Sequence, residues 1–191
     1  MQPWMYWAIG AVVLVIILLA LMYNSLIYRK NQVENMQGAV DAYLKQRYDL
    51  IPNLVASVKE YMKHEKDVLE EITKLRSMAV ESGDFDEKID IERKLEPLLH
   101  RLMVNVENYP QLKASENFLQ LQETLKNLED NIAAARRAYN QAVTDYNNAI
   151  EMFPTNIMAS WMRLERKKVF EIPESQRENV DVSGLFNDRK D

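Results

Sequence analysis

Residues 1–28 of this chain contain no charged side chain, and residues 4–23 within them form an almost wholly apolar run. Twenty residues of α-helix rise about 30 Å, which matches the hydrocarbon core of a bilayer. Trp4 and Trp7 stand near one end of the run and Tyr23 at the other, and aromatic rings suit the boundary between water and lipid. The run therefore predicts one transmembrane helix, with the lipid bilayer as the partner of residues 4–23.

A cleaved signal peptide is the alternative interpretation of this run. Such a peptide begins with a basic segment and ends at a small-residue cleavage site. Here no basic segment precedes the run, which ends in MYNSLIY, so the run is expected to remain as an anchor. Arg29 and Lys30 follow it directly, and basic residues favour the cytoplasmic flank. The N-terminus is therefore expected outside and the remaining chain in the cytoplasm, with a periplasmic location as the alternative.

All charged residues, 24 basic and 29 acidic, follow the apolar run and give a net charge of −5. An acidic surface with mixed charges argues against nucleic acid as a partner, because nucleic acid selects basic surfaces. The chain contains no cysteine, so no disulfide framework is expected. The predicted organisation is an anchor with its juxtamembrane segment over residues 1–28, a helical bundle over 29–170 and a polar tail over 171–191.

Apolar residues at steps of three and four predict an all-α fold, in which an elongated antiparallel bundle, similar to a four-helix bundle, follows the anchor. Three long or medium helices and one short helix are expected. The first covers about residues 31–81 and the short one about 156–169, and the segment ENYPQLKAS is expected to be extended. The second helix has the stripe Ile91, Leu95, Leu98, Leu102 and Val106. The third has the stripe Phe118, Leu121, Leu125, Leu128, Ile132, Ala135, Tyr139, Ala142, Tyr146 and Ala149.

Pro52 lies in the middle of the first predicted helix, in the sequence QRYDLIPNLV. Proline has no N–H to donate to the carbonyl of Tyr48, and its ring crowds that carbonyl, which costs about 3 kcal/mol and bends a helix. The apolar spacing keeps its phase across Pro52, so a kinked but continuous helix is expected, with the Tyr48 carbonyl available to a side chain or a water. The kink either fits the helix to its neighbours or shapes a polar recognition site from Arg47, Asp49 and Asn53.

Several long strings of this sequence resemble the LemA family in order and spacing. They include YNSLIYRKNQVE, RYDLIPNLV, YPQLKASENFLQLQETL and EDNIAAARRAYNQAVTDYNNAIEMFPTNIMA, and they cover about residues 22–160. The resemblance implies a single-pass, membrane-anchored antiparallel helical bundle of bacteria, in the inner membrane, with no agreed enzymatic activity. The signature residues that it marks are Arg47, Tyr48, Asp49, Pro52, Asn53, Tyr109, Pro110, Arg136, Tyr139 and Asn140.

Arg136 follows three alanines, whose small side chains let another helix approach while the long basic side chain reaches across. It is expected to meet Asp49 or a helix C-terminus. Three interpretations stay open: an ion pair within one bundle, a contact between subunits, and a ligand site. Tyr139 and Tyr146 fall on the apolar stripe with asparagines beside them, which predicts a hydrogen-bonded layer that fixes the helix register.

The sequence predicts no enzyme, cofactor or metal. No serine or threonine has an adjacent base in a recognisable motif, and no glycine-rich phosphate loop occurs. Paired metal ions in a helical bundle require Glu-x-x-His on two helices. Here Glu60 and His64, like Glu96 and His100, are spaced i, i+4, and four further inward carboxylates would be needed.

Two functions remain as hypotheses. The favoured one is a non-enzymatic scaffold or adaptor that self-associates as a homo-oligomer and contacts other membrane proteins. Its motivation is apolar residues beside the stripes, among them Leu99, Met103 and Leu119, and ten methionines that suit adaptable contacts. The alternative is a ligand-sensing module whose polar pocket lies near Pro52, Arg47 and Arg136.

Overall fold

The computed structural model describes residues 3–170, and the predicted tail over residues 171–191 lies outside them. These residues form six α-helices and no strand: α1 Pro3–Lys59, α2 Lys66–Glu81, α3 Phe85–Val106, α4 Pro110–Lys113, α5 Glu116–Glu151 and α6 Thr155–Trp161. A 3₁₀ turn, Lys63–Glu65, separates α1 from α2. The predicted all-α fold class is confirmed.

α1 is one uninterrupted helix of 57 residues that contains both the apolar run and the longest helix of the bundle. It is long and apolar enough to cross a membrane, and none of its most apolar window is buried against the rest of the protein. A core helix of a soluble domain would instead be mostly covered. α1 also passes through the predicted boundary between residues 28 and 29 without a break, while the division of the chain at residues 28 and 170 stays a prediction.

α1 ends at Lys59 and the chain folds back, so the prediction of one helix over residues 31–81 is wrong. Nε of Arg76 in α2 donates a hydrogen bond of 3.2 Å to the backbone carbonyl of Tyr48 in α1. In a continuous helix these residues would be separated by about 42 Å. Met62 is fully buried in the turn and fixes it to the core. The turn contains neither glycine nor proline, so packing rather than a breaking residue ends the helix.

The helix continues across Pro52, as predicted. The carbonyl of Tyr48 lacks the N–H that residue 52 would normally supply, and it accepts the hydrogen bond from Arg76 instead. The Arg76 side chain of α2 thus supplies the donor that Pro52 lacks. Pro52 leaves the Tyr48 carbonyl free as an acceptor, and the hydrogen bond to that carbonyl connects α2 to α1.

Replacing Arg76 with alanine is expected to lower the free energy of unfolding by about 1.5 kcal/mol, because a hydrogen bond from a charged donor to a half-buried carbonyl is lost. In a Pro52→Ala background the same replacement should cost less, since the backbone N–H of the introduced alanine can then donate to the Tyr48 carbonyl. Denaturant unfolding of the four proteins measures both costs. Equal costs in the two backgrounds would contradict the proposed exchange of donors.

α5 packs lengthwise against α1 in the opposite direction, as the pairing of Arg29 with Asp145 and of Arg47 with Glu129 shows. α2 packs against both α1 and α3. The buried residues of α3 include Ile91, Leu95, Leu99, Leu102 and Val106. The buried residues of α5 are Phe118, Leu128, Ile132, Ala135, Tyr139, Val143, Tyr146, Asn147 and Ile150. Most predicted stripe positions are therefore buried or packed on the core.

Two other predicted segments differ from the structure. Within ENYPQLKAS, residues Pro110–Lys113 form one turn of helix, in which proline takes a first-turn position where its missing N–H is not needed. α6 ends at Trp161 rather than near residue 169. Arg163 adopts a positive φ of 52°, and the N–H of Leu164 bonds the carbonyl of Ala159, which ends the helix with a left-handed residue. Residues 164–170, here called the strap, then run without regular secondary structure.

Candidate interaction site: an ion-pair cluster and the strap

A cluster of charged side chains lies in the centre of the bundle, between α1, α3 and α5. Arg47 of α1 is 2% exposed and Glu92 of α3 is 0% exposed, and Nη2 of Arg47 lies 2.9 Å from Oε2 of Glu92. Nη1 of Arg47 also donates to Oε2 of Glu129 on α5, at 3.2 Å. One guanidinium thus connects three helices, through an ion pair with Glu92 and a hydrogen bond to Glu129.

Arg136 of α5 extends the same cluster. Its Nη1 donates to Oε2 of Glu96 at 2.7 Å, and its Nη2 lies 3.7 Å from Oε2 of Glu92. The expected partner of Arg136 was Asp49 or a helix C-terminus, and its partners are instead two carboxylates of α3. Arg47, Glu92, Glu96 and Arg136 are hereafter the ion-pair cluster.

Burial raises the pKa of Glu92, in this cluster, and of Tyr48, beside it. Loss of water raises the pKa of Glu92 above its ordinary value, against the opposing effect of Arg47, the Tyr48 hydroxyl and Arg136. Burial and the Glu92 carboxylate also raise the pKa of Tyr48, so its hydroxyl stays protonated. Because every charge in the cluster faces an opposite charge, the arrangement can hold three helices in one register.

A groove of about 750 Å³ lies beside the cluster, between α3 and α5. Arg47 and Glu129 are among its lining residues, with Leu99, Met103 and Leu125 as apolar walls. His100, Lys126 and Asp130 are among its other polar residues. The groove thus borders the buried guanidinium of Arg47. Of the two arginines predicted for a ligand pocket, Arg47 lines this groove.

The strap lies on α5 and is held by a ladder of side chains from that helix. Asn147 donates to the carbonyl of Lys167 at 2.9 Å and accepts from its N–H at 3.0 Å. Asn140 forms the same pair with Phe170, at 2.9 and 2.7 Å. Asn140 and Asn147 are seven residues apart, which is a rise of about 10.5 Å in a helix. Lys167 and Phe170 are three residues apart, which is about 10 Å in an extended chain. The spacing of the two asparagines therefore matches that of their two partners in the strap.

Two tyrosines complete the ladder. The hydroxyl of Tyr146 donates to the carbonyl of Glu165 at 3.1 Å, and that of Tyr139 to the carbonyl of Lys168 at 3.0 Å. Burial raises the pKa of Tyr139 to about 12, so its hydroxyl remains a donor. The predicted polar layer is present among these residues, but it bonds the backbone of the strap rather than another helix.

The end of the strap connects the ladder to the ion-pair cluster. The ring of Phe170 is buried, and the guanidinium of Arg136 lies 4.3 Å from its centre, in the geometry of a cation–π contact. Phe170 therefore covers the face of Arg136 while Glu96 and Glu92 occupy its edge. Displacement of the strap would expose this guanidinium.

The structure brings some signature residues together and separates others. Arg47, Tyr48 and Arg136 meet in or beside the cluster, and Tyr139 and Asn140 belong to the ladder. Asp49, Pro52, Asn53 and Pro110 are exposed. Asp49 and Asn53 therefore lie on a different face of α1 from the buried Arg47, so the three do not form one polar site.

Tyr109 has a separate role. Its hydroxyl donates to Oε2 of Glu65 at 2.8 Å, which joins the α3–α4 connection to the turn between α1 and α2. This hydrogen bond raises the pKa of Tyr109. In the first predicted helix, apolar residues recur at steps of three and four from Val40 to Leu75, and Arg47 and Glu65 fill the two gaps in that stripe. Both make contacts across the bundle.

The sequence did not predict Glu92, Glu96 or Glu129 as partners of the arginines. The available signal was Arg47 itself, because a charged residue on a core-facing stripe requires a buried opposite charge. Nothing in α3 distinguished Glu92 from the neighbouring acids. Within residues 3–170 no group of three or more histidine, aspartate or glutamate side chains is arranged to hold a metal ion.

The fold and this site define a class of protein: an all-α bundle, centred on buried ion pairs, whose longest helix begins as an apolar segment able to cross a membrane. The sequence matches the LemA family over residues 36–183. It is 31% identical over 166 residues to Protein LemA of Metamycoplasma hominis, covering 86% of this chain and 75% of that protein. The chain belongs to the LemA family, as the resemblance predicted.

A shorter similarity links the chain to magnetosome proteins. It is 34% identical over 73 residues to Magnetosome protein MamQ 1 and to Magnetosome protein MamQ 2 of Paramagnetospirillum magneticum. This match covers 38% of the present chain and 27% of each MamQ protein. The match therefore covers 75% of the LemA protein of Metamycoplasma hominis but only 27% of each MamQ protein.

Proposed function

We propose that this protein is a non-enzymatic scaffold of the bacterial inner membrane, which self-associates and presents a protein-binding surface at a fixed distance from the bilayer. Residues 4–23 anchor it, and the bundle lies on the cytoplasmic side because Arg29 and Lys30 flank the span there. The observation that carries the proposal is the continuity of α1 from the apolar run to Lys59. The 36 residues after Tyr23 rise about 54 Å, with no linker along them.

A groove at the membrane-distal end supplies the surface. It has a volume of about 760 Å³ and lies between the end of α1 and α2. Val55, Met62 and Leu69 line it together with one acid, Glu70, and four lysines, which are Lys59, Lys63, Lys66 and Lys74. Glu70 pairs with Lys66 at 3.5 Å, so the rim keeps an excess of positive charge. Apolar contacts within such a rim suit an apolar segment flanked by acidic residues. A chain with a net charge of −5 offers acidic residues on a second copy of itself.

Of the three apolar residues that the sequence suggested for self-association, one is exposed. Leu99 is buried and Met103 packs against the core, whereas Leu119 is exposed, as expected. Met78 and Val80 of α2 and Val104 of α3 are also exposed. These side chains provide contact area outside the core on several faces of the bundle.

Detergent-extracted full-length protein is expected to show species larger than the monomer by mass photometry. Because the chain has no cysteine, a photoreactive group can be placed at Thr73→Cys, which lines the distal groove. In native membranes it should crosslink to a second copy or to another membrane protein. The matched control is Lys94→Cys, exposed on α3 away from the groove, which should crosslink far less. A clean monomer at micromolar concentration, with equal labelling from both positions, would reject the proposal.

A ligand-sensing function is the second candidate, and the α3–α5 groove beside Arg47 is the observation that favours it. A small anionic ligand could displace Glu129, whose carboxylate is about half exposed, from Nη1 of Arg47. Glu129→Gln should then bind an anion such as inorganic phosphate more tightly than the parent, because the competing carboxylate is gone. Equal and negligible heats in titration calorimetry of both proteins would argue against this candidate.

A further inference from the structure

Four large apolar side chains are exposed where α5 turns into α6. Met152 is 63% exposed, Phe153 79%, Ile157 54% and Trp161 80%. These residues, here called the corner patch, occupy only ten positions of the chain. An exposed apolar patch of this kind is typical of a surface that contacts a membrane or another protein.

The position of the corner patch along α1 follows from one hydrogen bond. Nη1 of Arg29 donates to the backbone carbonyl of Asp145 at 3.3 Å, so these two residues lie at similar heights, within the reach of an arginine side chain. From Asp145 the antiparallel α5 continues for six residues to Glu151, which is about 9 Å towards the apolar run. From Arg29 back to Tyr23, the last residue of the run, α1 also spans about 9 Å. The end of α5 is therefore level with the end of the apolar run.

The corner is held rigidly in this place. Oγ1 of Thr155 lies 2.6 and 2.9 Å from the carbonyl oxygens of Ala149 and Met152, and its single proton is donated to one of these two acceptors. α6 contacts both α1 and α5, and its Ala159 is buried in that contact. The start of the patch, which directly follows α5, is thus held close to the level at which the apolar run ends.

We infer that the corner patch is inserted in the headgroup region of the same bilayer that α1 crosses. Tryptophan and phenylalanine favour that region, since it accepts an apolar ring beside a hydrated surface. Arg163 and Lys167, both exposed, follow the patch and suit the phosphates of anionic lipids. With the span and the patch both in contact with lipid, the bundle has a fixed rotation and tilt relative to the membrane.

This inference depends on the anchor in the proposed function and not on the scaffold role or self-association. It is tested with full-length protein in nanodiscs that contain anionic lipid. A nitroxide is attached to a single cysteine at Phe153→Cys, and power-saturation spectroscopy measures its collisions with oxygen and with a water-soluble nickel complex. Leu119→Cys, also exposed but near the start of α5, is the matched control in water. Trp7→Cys, within the apolar run, reports on the span.

The Phe153 label is expected to lose collisions with the nickel complex and to gain collisions with oxygen relative to the Leu119 label. Equal values at the two positions overturn the inference while leaving the anchor intact, provided that the Trp7 label reports lipid. A Trp7 label in water overturns the anchor and the inference together. If the Phe153 label is shielded from both reagents and shows dipolar broadening between labels, a second copy covers the patch, and the inference is wrong.

Discussion

Replacing Arg47 with methionine is expected to lower the free energy of unfolding by about 3 to 5 kcal/mol, because it leaves the carboxylate of Glu92 buried without its nearest partner. Glu92 is fully buried, and its remaining cation, Arg136, is 3.7 Å away and shared with Glu96. Methionine keeps an unbranched apolar side chain at the position, so lost packing contributes little. Denaturant unfolding in detergent or nanodiscs, followed by circular dichroism, measures the change.

The double variant Arg47→Met, Glu92→Leu separates the ion pair from the packing. It removes both buried charges, so it should recover most of the stability that the single variant loses. The exposed pair formed by Lys30 and Glu34 serves as a control, since Glu34→Gln should cost less than about 1 kcal/mol. If Arg47→Met lowers the free energy of unfolding no more than Glu34→Gln does, the ion-pair cluster is not required for the stability of the bundle.

The same variant predicts a dependence on pH. Burial already raises the pKa of Glu92 in the folded protein, and Arg47 is the largest influence that lowers it, so Arg47→Met should raise this pKa further. The folded variant then binds more protons than the unfolded chain, and its stability falls as pH rises above the ordinary pKa of Glu92. The stability deficit relative to the parent should therefore shrink on acidification towards pH 4.5. A deficit that grows on acidification would contradict the assignment to Glu92.

Replacing both Asn140 and Asn147 with alanine is expected to release the strap while the rest of the bundle stays folded. Four hydrogen bonds to the strap backbone are lost. At a net value near 1 kcal/mol each, their loss lowers the free energy of local opening of the strap by about 2 to 4 kcal/mol. Trypsin cleavage at Arg166, Lys167 and Lys168 should then be at least about 30-fold faster, because each 1.4 kcal/mol corresponds to a factor of ten. Mass spectrometry of the new termini measures it.

Asn148→Ala is the matched control for the strap, because Asn148 is exposed beside Asn147 on α5 and has no part in the ladder. It should leave the rate of cleavage in the strap unchanged. Hydrogen exchange adds a second readout: the amides of Lys167 and Phe170 should lose protection in the double variant, while those around Ile132 keep it. Unchanged cleavage in the double variant would show that Phe170 and Tyr139 hold the strap without the asparagines.

Much of the fold follows from patterns that a sequence displays directly. The uncharged run of residues 4–23 predicted an apolar helix long enough to cross a bilayer, and the first part of α1 is such a helix. The stripe of α5 predicted its burial, and the phase kept across Pro52 predicted a continuous helix with an open acceptor at Tyr48. These predictions succeed because they depend on local periodicity and on covalent geometry, which are present in the chain before it folds.

The site was only partly predictable, for a different reason. Arg47 on an apolar stripe and the asparagines beside Tyr139 and Tyr146 indicated buried polar contacts, but not their partners. The partners Glu92 and Lys167 are distant in sequence, and one glutamate on a helix rich in acids resembles another. Pairing between distant residues is set by which helices become neighbours, and local composition does not encode that choice.

The chain by itself determined the long apolar helix at its start, the helical class, the unbroken passage across Pro52 and the family. Only the tertiary structure decided where α1 stops and which way α2 runs, because residues 59–66 contain no glycine or proline that would end a helix, and Met62 is buried in the core where the chain turns. It also decided that residues 164–170 form a strap rather than a helix. In a helix, the backbone N–H and C=O groups of these residues would bond one another. In the strap, side chains of α5 bond several of them instead, and these partners exist only once α5 is in place.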